Sequence, residues 1–137
     1  MNTMTYKGYI GSVAFSEKDN VFFGKISGHK VMLGDDVIYE TEEDYGEKEV
    51  YIAIRPEGFQ IAGPKDKNVM HAELEMIQVM GRDVSIVAKK AESMKPTFKA
   101  IIAAEDAENQ SGLISFKVKP NKLFIFDGDT EERIRIK

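Results

Sequence analysis

Apolar residues in this chain recur mostly at every second position, a period that fits strands and leaves little room for helices. In residues 71–80, Ala72, Leu74 and Met76 alternate with His71, Glu73 and Glu75. In residues 84–89, Val84, Ile86 and Ala88 alternate with Ser85 and Lys89. Gly81-Arg82-Asp83 lies between the two runs, and its Gly and Asp supply turn chemistry, so the pair predicts a β-hairpin. Further strands are expected over 20–27, 30–33, 49–54, 98–103, 112–118, 122–126 and 133–136. They are short, fairly evenly spaced and separated by Gly, Pro, Asn or Asp, as in barrels and sandwiches. Residues 103–110 hold good helix formers but no apolar stripe, and they read as a polar loop. Residues 40–49 form a strongly acidic loop broken by Gly46. Residues 63–68, with Gly63, Pro64 and Asn68, are a turn-rich connector and the expected seam between two small subdomains.

The 137 residues suit one domain spanning 1–137, or two very small subdomains sharing a core. The apolar share of 42% is enough to build that core. The chain has no Cys, which excludes a disulfide framework, a thiolate zinc site and a cysteine nucleophile. No apolar run approaches the roughly 20 residues that span a bilayer. The first residues, Met1 to Lys7, lack the basic-then-apolar pattern of a signal peptide, so a cytoplasmic location is expected. The net charge of -4 argues against bulk attraction to nucleic acid.

Catalytic signatures are missing. A P-loop needs Gly, four residues, then Gly-Lys and a hydroxyl residue to wrap phosphates and hold magnesium. The one Gly-Lys pair, Gly24-Lys25, is followed by Ile26, has Asp19 where the first Gly belongs, and lies within a strand pattern. Neither a Gly-x-Ser-x-Gly elbow nor a dinucleotide-binding glycine fingerprint is present. His29 and His71 have no ligand-spaced partners for a metal site and read as a turn residue and a polar strand residue. Asp127-Gly128-Asp129 lacks the further oxygen ligands of a calcium loop and reads as a tight turn. The acidic pairs Asp35-Asp36 and Glu42-Glu43 read as solvated loop. The chain is therefore expected not to be an enzyme and to hold no cofactor and no metal.

Two stretches carry a family resemblance. One is the strand Val50-Tyr51-Ile52-Ala53-Ile54 ending in Arg55-Pro56-Glu57; the other is Pro120-Asn121-Lys122-Leu123-Phe124-Ile125-Phe126-Asp127 with Gly128-Asp129-Thr130 after it. Both resemble the transport-associated OB (TOBE) domain, the regulatory region that follows the ATPase domain in ABC-importer subunits of the maltose, polyamine and iron type. The hairpin of residues 72–88, with Met80-Gly81 for the family's Leu-Gly, is similar as well. So are Tyr9-Ile10-Gly11-Ser12 and the strand from Asn20 to Ile26. The resemblance covers nearly the whole chain, but the ATPase half with its Walker motifs is absent. It implies an OB-fold-like barrel, or two, of short antiparallel strands. It also implies a regulatory, dimer-supporting role in transport, in a homodimer attached to an ATPase domain. Membrane permease subunits would be reached through that domain, at the cytoplasmic side of the inner membrane. Regulators or small anions are the ligands implied in some branches. A shorter similarity, from Tyr6 to Lys25, is to the N-terminal strands of HicB-type antitoxins. It ends near Gly28, because that family continues into an amphipathic helix and this chain into Val31–Leu33.

Pro56 cannot donate to a ladder and pushes Arg55 toward extended geometry, so this pair should end its strand. Arg55 and Glu57 are candidates for bonding across the seam or to a partner. In Leu123-Phe124-Ile125-Phe126 two side chains should face the core and two the opposite surface, which makes Phe124 and Phe126 candidate seam or dimer contacts. Apolar neighbours such as Phe22-Phe23, Met76-Ile77 and Leu113-Ile114 cannot all face one core, which also favours self-association. Two alternatives to the regulatory role are a stand-alone small-oxyanion-binding barrel, as in related molybdate-binding barrels, and an OB-type binder of single-stranded nucleic acid. The oxyanion alternative lacks that group's Ser-Ala-Arg-Asn stretch. The nucleic-acid alternative would use Lys89, Lys90, Lys95, Lys99, Lys117, Lys119 and Lys122, but it needs exposed stacking aromatics. Phe98 and Phe116 alternate inward, so nucleic acid is the less favoured partner.

Overall fold

The computed structural model describes residues 9–10, 13–14, 20–107 and 110–135. Its strands are β1 (Tyr9–Ile10), β2 (Val13–Ala14), β3 (Asn20–Ser27), β4 (Lys30–Leu33), β5 (Asp36–Glu40), β6 (Glu47–Ile54) and β7 (Phe59–Ile61). The series continues with β8 (Met70–Met80), β9 (Asp83–Lys89), β10 (Phe98–Ala103), β11 (Leu113–Val118), β12 (Leu123–Asp127) and β13 (Arg133–Ile134). Among the described residues the only helical pieces are short 3-10 turns, so the expected all-β architecture is found. No helix here is long and apolar enough to cross a membrane.

Apart from the β1–β2 pair, the strands form two antiparallel sheets. One has the order β13-β12-β6-β3-β4-β5 and the other β10-β9-β8-β11-β7. The hairpin of β8 and β9 turns at Gly81, whose φ of 89° suits a residue without Cβ. β5 and β7 were not expected from the sequence. In β5, Val37, Ile38 and Tyr39 run consecutively instead of alternating, and β7 is too short to show a period. The expected polar loop over 103–110 contains a 3-10 turn, Ala104–Ala107, that buries Ala107. Gly11, Ser12, Glu108, Asn109 and Ile136, which belong to expected motifs or strand ends, lie outside the described residues.

The inner faces of the two sheets share one apolar core. From the six-stranded sheet come Phe22, Ile26, Val50, Ile52, Ile54, Leu123 and Ile125; from the other come Ile86, Phe98, Ala100, Ile114 and Phe116. Four rings lie at its centre, with Phe98 5.2 Å from Phe22, 5.5 Å from Phe59 and 6.1 Å from Phe116. Gly24 is required where β3 lies between β6 and β4, since a Cβ there would overlap Ile52 and the Met32 carbonyl. A smaller cluster of Tyr51, Ala53 and Phe126 occupies the opposite face of the six-stranded sheet, packed against Val21, Met94 and Phe124. The connector 63–68 joins β7 to β8, both strands of the five-stranded sheet.

β6 stops at Ile54, and Pro56 opens a 3-10 turn over Pro56–Gly58, where its fixed φ and missing N–H do no harm. A second turn, Pro120–Lys122, packs beside it. The Arg55 N–H donates to the Lys122 carbonyl at 3.1 Å, and the Lys119 N–H donates to the Gly58 carbonyl at 2.7 Å. Gly58 allows this approach, because a Cβ there would come within 2.6 Å of the Lys122 Cβ. The two sequence stretches that carry the resemblance therefore meet as paired strands, β6 with β12, and as adjoining turns.

Candidate functional site

The two edges of the five-stranded sheet, β7 and β10, curl round into contact, yet no ladder joins them. The barrel is thus left with an open seam. Hydrogen-bonded positions alternate along antiparallel strands, so a few bonds fix which backbone groups face it. The Ala62 N–H donates to the Ser115 carbonyl and the Lys119 N–H to the Gly58 carbonyl, so even-numbered residues of β7 bond to β11. Phe59 and Ile61 therefore turn their N–H and C=O groups outward. In the same way the Ala104 N–H donates to the Arg82 carbonyl, which turns Lys99, Ile101 and Ala103 away from β9.

The outward groups of Lys99 are met by one side chain. Asn20 is buried, its Oδ1 accepts from the Lys99 N–H at 3.0 Å, and its Nδ2 donates to the Lys99 carbonyl at 2.8 Å. The amide acts as a single residue of a missing strand and closes the seam at that end. Beyond it lies a groove of about 550 Å³ lined by both edges, with Gln60, Asp106, Lys117 and Lys119 as its polar side chains next to Asp66. Asp66 is already engaged: its Oδ1 lies 3.4 Å from Lys117 Nζ and its Oδ2 accepts from the Gly63 N–H at 2.6 Å. Lys119 has no carboxylate partner among the described residues.

A second cleft, of about 570 Å³, lies on the other side of the 62–66 turn and is bordered by Asp35, Asp36, Lys67, His71 and Ser115. Its wall is a charge network. Lys90, with a side chain only 9% exposed, donates to Asp36 Oδ2 at 2.6 Å and to the His71 carbonyl at 2.8 Å, and it lies 3.6 Å from Glu92. The His71 N–H donates to the same Asp36 oxygen at 2.8 Å, and the ring Nδ1 lies 2.9 Å from Oδ1. Burial raises the Asp36 pKa, but the bonds from Lys90 and His71 outweigh it and hold the carboxyl below its ordinary range. Asp36 is thus not the solvated loop residue expected from sequence; it ties β5 to β8 and to the end of β9. Both Asp36 oxygens are engaged, Oδ2 by Lys90 and the His71 N–H and Oδ1 by the His71 ring, which makes the network a structural lock.

A third cavity, of about 640 Å³, lies by the Gly128 turn and is lined by Phe23, Glu49, Tyr51 and Asp129. Burial, and after it Glu131, Asp129 and Glu49, push the Tyr51 hydroxyl pKa up. This acidic rim repels anions. Asp127 accepts at Oδ1 from the N–H groups of Asp129 and Thr130, at 2.8 and 3.1 Å, and these bonds hold its carboxyl below the usual range. The turn expected at Asp127-Gly128-Asp129 is built on them.

The residues singled out in sequence are not gathered at any of these cavities. Arg55 and Arg133 flank one ring, Phe124, at 5.2 and 4.8 Å from its centroid. Phe126 is fully buried in the smaller cluster, and Glu57 is exposed in the Pro56 turn. Lys117 and Lys119 were legible only as members of a general list of lysines. Asn20 and Gln60 were missed. The signal for Asn20 was available, since it shares the inward alternation of Phe22 and Ile26.

No family model matches the chain, and no curated protein matches it. Among solved structures, the chain is similar to a cytoplasmic molybdate-binding protein, ModG, in a crystal form with molybdate bound. The likeness covers 77% of this chain and 94% of that one, with a TM-score of 0.50 at 12% identity. At that identity the likeness concerns the fold, which is an OB-like all-β fold of short antiparallel strands.

Proposed function

We propose that this chain is a small-oxyanion-binding domain of the OB type, with the anion seated in the open seam between β7 and β10. One observation carries the reading: two unbonded strand edges face one groove that also holds Lys117 and Lys119. The N–H groups of Ile61 and Ile101 point out of their ladders at the two strand edges, and edge N–H groups beside a cation suit a tetrahedral oxyanion. In this groove Lys117 and the Gly63 N–H neutralise Asp66, Asp106 is the remaining carboxylate, and Lys119 has no carboxylate partner among the described residues. The molybdate bound to the structurally similar protein supports the same ligand class. The test is isothermal titration with molybdate, tungstate, sulfate and phosphate at physiological salt. Saturable binding of at least one, weakened about tenfold or more by Lys119→Met, is expected. Absence of binding at about 10 mM, or binding indifferent to both Lys117→Met and Lys119→Met, would sink the reading.

A second reading is favoured by the meeting of the two family-like stretches at the Arg55–Gly58 and Pro120–Lys122 corner. In it the domain is the regulatory region of an ABC-importer ATP-binding subunit, peripheral to the membrane through permease subunits. Biolayer interferometry against an importer ATPase domain from the same cell tests it. Binding that is lost on Glu57→Lys is expected, and no signal at about 100 μM would count against this role.

A further inference from the structure

The outer half of β8 has an open edge. Its pairing with β11 ends at Glu73 and Leu113, and the last bond on that side runs from the Leu74 N–H to the Gly112 carbonyl at 2.8 Å. Beyond a register shift between Leu74 and Met76, β8 continues to Met80 with only β9 beside it among the described residues. This stretch, Met76-Ile77-Gln78-Val79-Met80, contains no charge and no proline, although edge strands are normally blunted by such residues. Its large side chains are exposed on both faces: Met76 is 49% exposed, Ile77 37%, Val79 79% and Met80 54%. Leu113, 79% exposed, stands at the foot of the same edge.

The ladder fixes which groups the edge offers. Arg82 bonds to Ala104, so even-numbered residues of β9 face β10 and odd-numbered ones face β8. Asp83, Ser85 and Val87 are opposite Met80, Gln78 and Met76. Those three residues of β8 therefore spend their backbone groups on β9, and Ile77 and Val79 present theirs to the open side.

We infer that this edge pairs with the same edge of a second copy, antiparallel about a two-fold axis that passes between the two Gln78 residues. The chain is complementary to itself in that register and in few others. A two-fold perpendicular to a sheet keeps each face on its own side, so a residue can oppose only one that shares its face. Centred on Gln78, Ile77 meets the partner's Val79 as a hydrogen-bonded pair, and Val79 meets the partner's Ile77. Four backbone bonds form, and two β-branched pairs cover one face. Met76 meets the partner's Met80 on the other face, next to Leu113. No like charges are placed opposite each other in this segment. The contact involves fewer than ten residues a side, against the roughly 20–30 of a standard interface, so the dimer is weak and reversible. It leaves the seam between β7 and β10 free and does not depend on oxyanion binding.

The chain lacks cysteine, which makes a direct test possible. Gln78 opposes itself as a non-hydrogen-bonded pair, with Cα atoms about 4.5 Å apart, inside the range a disulfide tolerates. Under mild oxidation Gln78→Cys should form a disulfide dimer rapidly, and Glu42→Cys, on an exposed loop far along the chain, should not. In sedimentation velocity the wild type should move toward twice its 15.4 kDa mass between micromolar and about millimolar concentration. Val79→Lys, at an exposed position, should remain a monomer throughout. The inference is overturned if the wild type is monomeric at about 1 mM, or if Val79→Lys dimerises as the wild type does. It is also overturned if Gln78→Cys cross-links no faster than Glu42→Cys, an outcome that would leave the edge to a strand from a different protein.

Discussion

Phe98→Ala should lower folding stability by about 4 kcal/mol, in the middle of the range for removal of a buried aromatic side chain. Phe98 is 2% exposed and lies between Phe22 of one sheet and Phe59 and Phe116 of the other. Its loss removes the transfer energy of the ring, leaves a cavity that β-sheet backbones cannot close, and breaks ring–ring contacts worth about 0.5–1.5 kcal/mol each. Phe23→Ala serves as the comparison. Phe23 neighbours Phe22 in sequence, but its side chain points to the other face and is 36% exposed, so about 1 kcal/mol or less is expected. Urea unfolding of both variants decides the matter. Equal losses would mean that the four rings are not the common core of the two sheets.

The second large effect comes from the charge network. Asp36→Ala should cost about 3 kcal/mol, because it removes the nearest counter-ion of the Lys90 ammonium, leaving Glu92 at 3.6 Å and the His71 carbonyl, in a site where only 9% of that side chain sees solvent. Lys90→Met should cost about 1 kcal/mol or less, since Asp36 keeps its bonds from the His71 backbone and ring and can reach water. This asymmetry distinguishes a buried lock from a surface pair, for which both variants would be nearly silent. The pH dependence follows from the lowered Asp36 pKa. A carboxyl whose folded value lies below its unfolded value, about 3.9, adds stability that is fully present above the unfolded value. That stability disappears as pH falls through the folded value. The wild type and Asp36→Ala should therefore differ most near neutrality and converge in acid. Thermal melts at pH 7 and pH 3 measure this, and a constant gap between the two would show that the carboxylate's charge is not what Lys90 requires.

Much of the fold was written in local pattern. The alternation around Ala72, Leu74, Val84 and Ile86, with Gly81 between the runs, was sufficient to place the β8–β9 hairpin, because side-chain direction along a strand depends only on parity. The pairing of Leu123 and Ile125 inward, with Phe126 on the other face, follows from the same rule. Pro56 ended β6 where its missing N–H said it must. Parity says which residues share a face, but not what stands against that face or against a strand's edge. That Asp36 is closed off from water depends on Lys90, 54 positions away in the chain. That Asn20 replaces a strand beside Lys99 depends on a contact across 79 positions. The groove between β7 and β10 exists because the sheet curls until its edges meet without bonding, a consequence of accumulated twist that no single segment records. Local pattern was enough for most of the strands, their inward faces and the hairpin turn at Gly81, but not for β5 or β7. Which edges stay open, and which lysines stand beside them, follows from the folded arrangement alone, because those properties belong to pairs of strands distant in the chain.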